Sequence, residues 1–174
     1  MMRNLIQQSV LTLLMTTFGF NIAQAAPTNI NITGTVVPSP CVVNNNNSNL
    51  NVELGPTIQA AALTTAGAGS ALTPFNLSLT ACPAGTNSVK VTFSGTPDTT
   101  STTMYKNTGT ATNLAVELSQ QTTGTILGNN STLTQTVQPD KTVTYALNAR
   151  AYSAAGSVMP GSIIAVIQAN FTYN

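Results

Sequence analysis

Apolar and polar positions alternate along most of this chain, and the alternation is clearest in its last stretch, Gly161 to Asn174. Ile163, Ala165, Ile167, Ala169, Phe171 and Tyr173 fall on every second position. That period places them on one face of a β-strand. The opposite face starts apolar at Ile164 and Val166 and turns polar at Gln168, Asn170 and Thr172. Branched and aromatic side chains favour the extended chain. No charge lies beyond Arg150. An exposed strand edge is ordinarily protected by Lys, Pro or a bulge, because its bare N–H and C=O groups recruit other chains. Pro160 stands before this strand and no such device follows it. The edge is therefore covered within the fold or by another protein.

The same period recurs at the other end. Thr28, Ile30, Ile32, Gly34 and Val36 share one face, with Asn29, Asn31, Thr33 and Thr35 on the other. This predicts a second uncharged strand, ended by the break at Pro38 and Pro40. Further strands are predicted at Leu50–Leu54, at Phe75, Leu77 and Leu79, at Val89, Val91 and Phe93, and at Leu114, Val116 and Leu118. A weaker one is predicted at Leu133–Val137, and a long one carries Val143, Tyr145, Leu147 and Ala149. Residues 60–71 read as connection, and Gly95–Gly109 as a long polar loop. No stretch supports a helix of ordinary length. Short strands separated by turns predict an all-β antiparallel sandwich.

The first residues predict no part of that sandwich. Arg3, the apolar run Val10–Phe20 and Ala23-Gln24-Ala25 form a signal-peptide pattern with a cut after Ala25. The run is shorter than the roughly 20 residues a membrane span needs. An exported chain with no stable membrane insertion is expected. Ala26–Asn174 has the size of one domain. Its charges, Lys90, Lys106, Lys141 and Arg150 against Glu53, Asp98, Glu117 and Asp140, cancel. A neutral surface excludes the basic patches that bind nucleic acid and anionic membrane. The two cysteines, Cys41 and Cys82, form one disulfide by default in an exported chain; a pair of free redox thiols is the rival. Closing that loop restricts the unfolded chain by about 4 kcal/mol.

Little in the sequence carries chemistry. There is no His, so a His base and a His metal site are excluded. The carboxylates are scattered singly, and no phosphate loop or nucleophile elbow occurs. No catalytic residue, metal ligand or cofactor site is nominated, and an enzyme is not expected. Asn-x-Ser/Thr triplets such as Asn76-Leu77-Ser78 arise by chance in so Asn- and Thr-rich a chain. What remains is the pair of uncharged terminal strands. From the residues alone two readings stand: they finish an ordinary domain, or each completes another molecule's sheet by strand addition.

The chain resembles pilus subunits of the chaperone–usher pathway over essentially its whole length. The resemblance rests on the alternating segment Thr28–Val36 with Gly34 ahead of Cys41, on Cys82 some forty residues later, and on a carboxy-terminal motif. In that motif Gly161 leads the alternating residues to the penultimate Tyr173. Cys82-Pro83-Ala84-Gly85-Thr86, Phe93-Ser94-Gly95 and Tyr105-Lys106-Asn107-Thr108-Gly109-Thr110 are similar to minor subunits of type 1 fimbriae. The resemblance implies an immunoglobulin-like sandwich lacking its seventh strand, with signal peptide 1–25, donor-strand extension 26–37 and pilin domain 38–174. Its implied partners are a periplasmic chaperone, an outer-membrane usher and neighbouring subunits at both ends, in a cell-surface fimbria. Thr28, Ile30, Ile32, Gly34 and Val36 would enter a neighbour's groove. Gly161, Ile163, Ala165, Ile167, Ala169, Phe171 and Tyr173 would line this chain's own. Burying four or five apolar side chains in such a groove is worth about 6 to 12 kcal/mol as an upper estimate. An adaptor-like minor subunit is expected; a major shaft pilin and a secreted lectin-like adhesive domain are the alternatives.

Overall fold

A computed structural model of the chain describes residues 29–36 and 40–174. The expected signal peptide with its cut after Ala25, Thr28 of the expected donor face, and the break at Pro38 lie outside the described residues. The chain divides after Thr35. Of the first part, residues 29–35 have no regular secondary structure and are exposed.

Among the described residues of the second part, nine strands form two sheets. These are β1 (Val42–Val43), β2 (Ala68–Gly69), β3 (Thr73–Thr80), β4 (Ser88–Gly95), β5 (Tyr105–Lys106), β6 (Ala115–Gln120), β7 (Thr132–Thr136), β8 (Val143–Ser153) and β9 (Ile167–Tyr173). One sheet runs β1-β3-β8-β6-β5, with β2 against the far end of β8; the other runs β7-β4-β9. Every pairing is antiparallel. The predicted all-β sandwich is what folds, and the described helical elements are short 3₁₀ turns.

The period of two decides what is inside. Leu77 and Leu79 on β3, Val116 and Leu118 on β6, and Val143, Tyr145 and Leu147 on β8 meet Val89, Val91 and Phe93 of β4 between the sheets. The Tyr145 hydroxyl crosses the core and donates to the Val89 carbonyl oxygen at 2.7 Å. The Cys41–Cys82 disulfide ties the chain just before β1 to the chain just after β3. Cross-strand partners Glu117 and Arg150 form an ion pair at 2.8 Å on the other face of the first sheet.

Three expectations change. Leu50–Leu54 keeps its alternation, with Val52 and Leu54 half-buried, but forms no ladder. A strand needs a neighbour, and this segment borders open space. The terminal strand is in its ladder only from Ile167; Gly161–Val166 lies beyond the end of β4. The long polar loop carries β5, whose Tyr105 is buried and donates to the Leu127 carbonyl oxygen at 2.9 Å.

Removing the disulfide with C41A/C82A should lower stability by about 4 kcal/mol, because the reduced unfolded chain regains the entropy of a loop spanning 41 positions. Urea denaturation of the protein with its groove filled by a donor peptide checks this; an unchanged midpoint would refute it.

Candidate functional site

The second sheet has an uncovered side. β4 lies between β7 and β9, whereas among the described residues β9 pairs with β4 alone. Along the other edge of β9 runs a groove of about 790 Å³. One wall is Ile163–Phe171 and the other is Asn47–Leu54 with Val43. Its floor is core: Phe75 and Leu77 of β3, Phe93 of β4, Val116 and Leu118 of β6, and Leu147 and Ala149 of β8.

The inward residues of β9 show what is missing. Val91 and Phe93 on β4 are sealed, but their register partners Phe171 and Ala169 are only half-buried. Ile163, Ala165, Ile167 and Tyr173 are half-buried too, all packed against the same core. An apolar face turned to the core yet reached by solvent is a face without its last neighbour. Glu53 is the one charged side chain lining the groove. The groove therefore suits an uncharged, apolar, extended segment.

Its two ends differ. At one end Tyr173 pairs with Val89, and the Asn174 carbonyl oxygen accepts from the Asn87 and Ser88 amides at 2.6 and 3.1 Å. There the Tyr145 ring lies 6.4 Å from Phe171. Burial, and then the neighbouring Tyr173 phenol, pushes the Tyr145 hydroxyl well above the ordinary phenol range. Burial raises Tyr173 as well, opposed by the Cys41 backbone amide. The other end is at Gly161. Gly161 does not line the groove: a Cβ there would overlap the Ala111 backbone nitrogen. Its lack of a side chain serves the close approach of two backbones.

The expected donor residues that the structure describes are exposed. Ile30, Ile32 and Val36 are 82%, 89% and 99% accessible, and a Cβ on Gly34 would meet nothing. Among the described residues there is no cluster of three metal-ligating side chains, and no helix long and apolar enough to cross a membrane.

Sequence reasoning missed Asn107 and Thr110, which hold the Gly161 end. They sit in a run read as loop. Only the resemblance of residues 105–110 to minor subunits drew notice to them, and it gave no physical role.

The sequence model of the family described as "Fimbrial protein" matches residues 30–174. The chain is 39% identical to Protein FimG of Escherichia coli (strain K12), over 87% of both chains. It is 36% identical to the S-fimbrial adhesin protein SfaS of Escherichia coli O6:K15:H31 (strain 536 / UPEC), over 87% of this chain and 88% of that one. Its fold is similar to that of the P pilus rod subunit PapA, with a TM-score of 0.64, 21% identity, and coverage of 78% of this chain and all of that one.

The buried phenols fix how the sandwich responds to alkali. Tyr105 is pushed up to about 12 by burial, and Tyr145 is raised as well. Below pH about 10 both folded and unfolded phenols are neutral, and stability is unaffected. Above it the unfolded chain loses phenol protons that the folded chain keeps, so stability falls as pH rises from about 10 towards 12. Urea midpoints across that range should show the fall, and Tyr145→Phe should flatten part of it; a level profile would refute the assignment.

Proposed function

The chain belongs to the fimbrial protein family, and from that membership we propose that it is an adaptor-like minor subunit held in its fibre by two strand additions, one received and one given. It is a structural subunit of a chaperone–usher fimbria, and the family is not an enzyme family. The observation that carries the proposal is the bare edge of β9 beside a groove whose floor is apolar core.

In this reading the groove receives an extended segment from the next subunit to arrive. It pairs with the free edge of β9 and sends alternate side chains onto the core. The chain's own residues 26–37 are given to the preceding subunit, with Thr28, Ile30, Ile32, Gly34 and Val36 facing in. Burial of Ile30, Ile32 and Val36 alone contributes about 5 to 9 kcal/mol as an upper estimate. Gly34 is placed where the groove is too shallow for a side chain. An antiparallel approach to β9 gives the stronger ladder. A head-to-tail contact of this kind does not close on itself, so it propagates as a filament.

An unfilled groove is an aggregation hazard, since both its edge and its floor attract other chains. A periplasmic chaperone that lends a strand, and an outer-membrane usher where the neighbour's segment replaces it, remove that hazard during export. The minor role rests on the likeness to FimG. The likeness to SfaS, named an adhesin, favours a second reading in which the sandwich itself contacts a receptor.

Deleting Ala26–Val36 should leave a subunit that accepts a donor strand but cannot supply one; normal incorporation at internal fibre positions would contradict the proposal. Gly34→Leu in a synthetic 26–36 peptide should slow its entry into the groove by at least tenfold, read by fluorescence anisotropy of labelled peptide. Mass spectrometry of purified fibres should find few copies per fibre. A copy number matching the bulk of the rod would make the chain a shaft pilin, and direct glycan binding by the strand-filled protein would favour the adhesive reading.

A further inference from the structure

The ladder between β9 and β4 ends at Ile167 and Gly95. Seven paired residues at about 3.3 Å each span about 23 Å. The expected donor face, Thr28–Val36, is nine residues and about 30 Å at the same rise. A strand of that length outruns β9. The groove nevertheless continues along Ile163–Val166, where β4 no longer supports the chain. What holds that stretch in line is the loop 107–111.

The contacts are specific. The Ile164 amide donates to Asn107 Oδ1 at 2.8 Å, and the Ile164 carbonyl oxygen accepts from the Thr108 amide at 2.8 Å. The Ser162 amide donates to Thr110 Oγ1 at 2.9 Å, and the Ser162 carbonyl oxygen accepts from the Ala111 amide at 3.0 Å. Asn107 Nδ2 donates to the Ala111 carbonyl oxygen at 2.8 Å, and the Gly109 amide donates to Asn107 Oδ1 at 2.9 Å. The side-chain amide of Asn107 thus stands in for a peptide group of the missing β4. Gly109 permits the approach, because a Cβ there would overlap the Ser162 carbonyl.

In an extended chain, successive residues turn their N–H and C=O groups to opposite sides. With Ser162 and Ile164 engaged by the loop, Ile163 and Ala165 turn theirs to the groove. Their side chains already face the core. The free edge then runs without a break from Ile163 to Tyr173, eleven residues and about 36 Å at that rise. That covers the whole donor face.

We infer that Asn107 is a positioning residue for strand acceptance: it extends the groove's hydrogen-bonding edge past the end of β4, so that the last part of a donor strand is gripped. The inference rests on the strand-addition reading above. In the antiparallel approach, the gripped part is Gly34–Val36.

The test uses the whole mature chain refolded with an excess of labelled donor peptide, and compares dissociation of peptide 26–36 with that of peptide 26–32. In N107A the long peptide should leave at least tenfold faster, while the short peptide leaves at its wild-type rate. T110A, at an exposed residue, should act in the same direction and covers the case in which N107A fails to fold. Equal acceleration of both peptides would mean that Asn107 only stabilises the sandwich, and no change in either would mean that the loop is idle; both outcomes overturn the inference. Failure of the wild-type chain to bind both these peptides and the extension peptide of the subunit that follows it would instead sink the strand-addition reading, and this inference with it.

Discussion

A β-strand that forms one wall of a groove floored by apolar core, and has one edge bare, is the constraint on which this structure turns. Backbone N–H and C=O groups removed from water cost free energy unless they are paired. Among the described residues, β9 pairs on its β4 side and on no other. Its inward residues lie against the core yet remain half-exposed. The same strand is therefore short of hydrogen-bond partners and short of apolar cover, and one extended segment supplies both.

The rest of the sandwich keeps that edge presented. β3, β8 and β6 provide a packed floor, so an incoming strand meets a rigid surface. At one end the Asn174 backbone bonds to the start of β4, and the Cys41–Cys82 bridge stands beside Tyr173. At the other end the loop 107–111 takes over where β4 stops. Near-absence of charge fits the same end. One carboxylate, Glu53, lines the groove, so little electrostatic work opposes an uncharged segment. A joint made of a full ladder plus buried side chains dissociates slowly, and a fibre depends on that kinetic persistence more than on equilibrium stability.

How much was legible in the sequence follows from how local each signal is. The period of two assigned the inward faces of β3, β4, β6, β8 and β9 correctly, because alternation reports burial directly. It misplaced Leu50–Leu54 as a paired strand, since alternation reports burial of one face and says nothing about a neighbour across the edge. It also read Gly161–Asn174 as one strand, although the ladder starts at Ile167; where β4 ends is a tertiary fact. Gly161 stands in a sequence motif, but its physical reason, two backbones in contact, exists only in the fold. Tyr105 and Asn107 lay in a polar run without periodicity. Their roles arise from residues some twenty and fifty-five positions away, which no local pattern encodes.

Completion of this sandwich from outside can be read by thermal unfolding of a chain lacking residues 26–36, with and without the separate 26–36 peptide. The chain alone should show a broad, weakly cooperative transition, and a sharp one at much higher temperature once the peptide is bound. A sharp, cooperative transition of a monomer that the peptide leaves unmoved would contradict completion from outside.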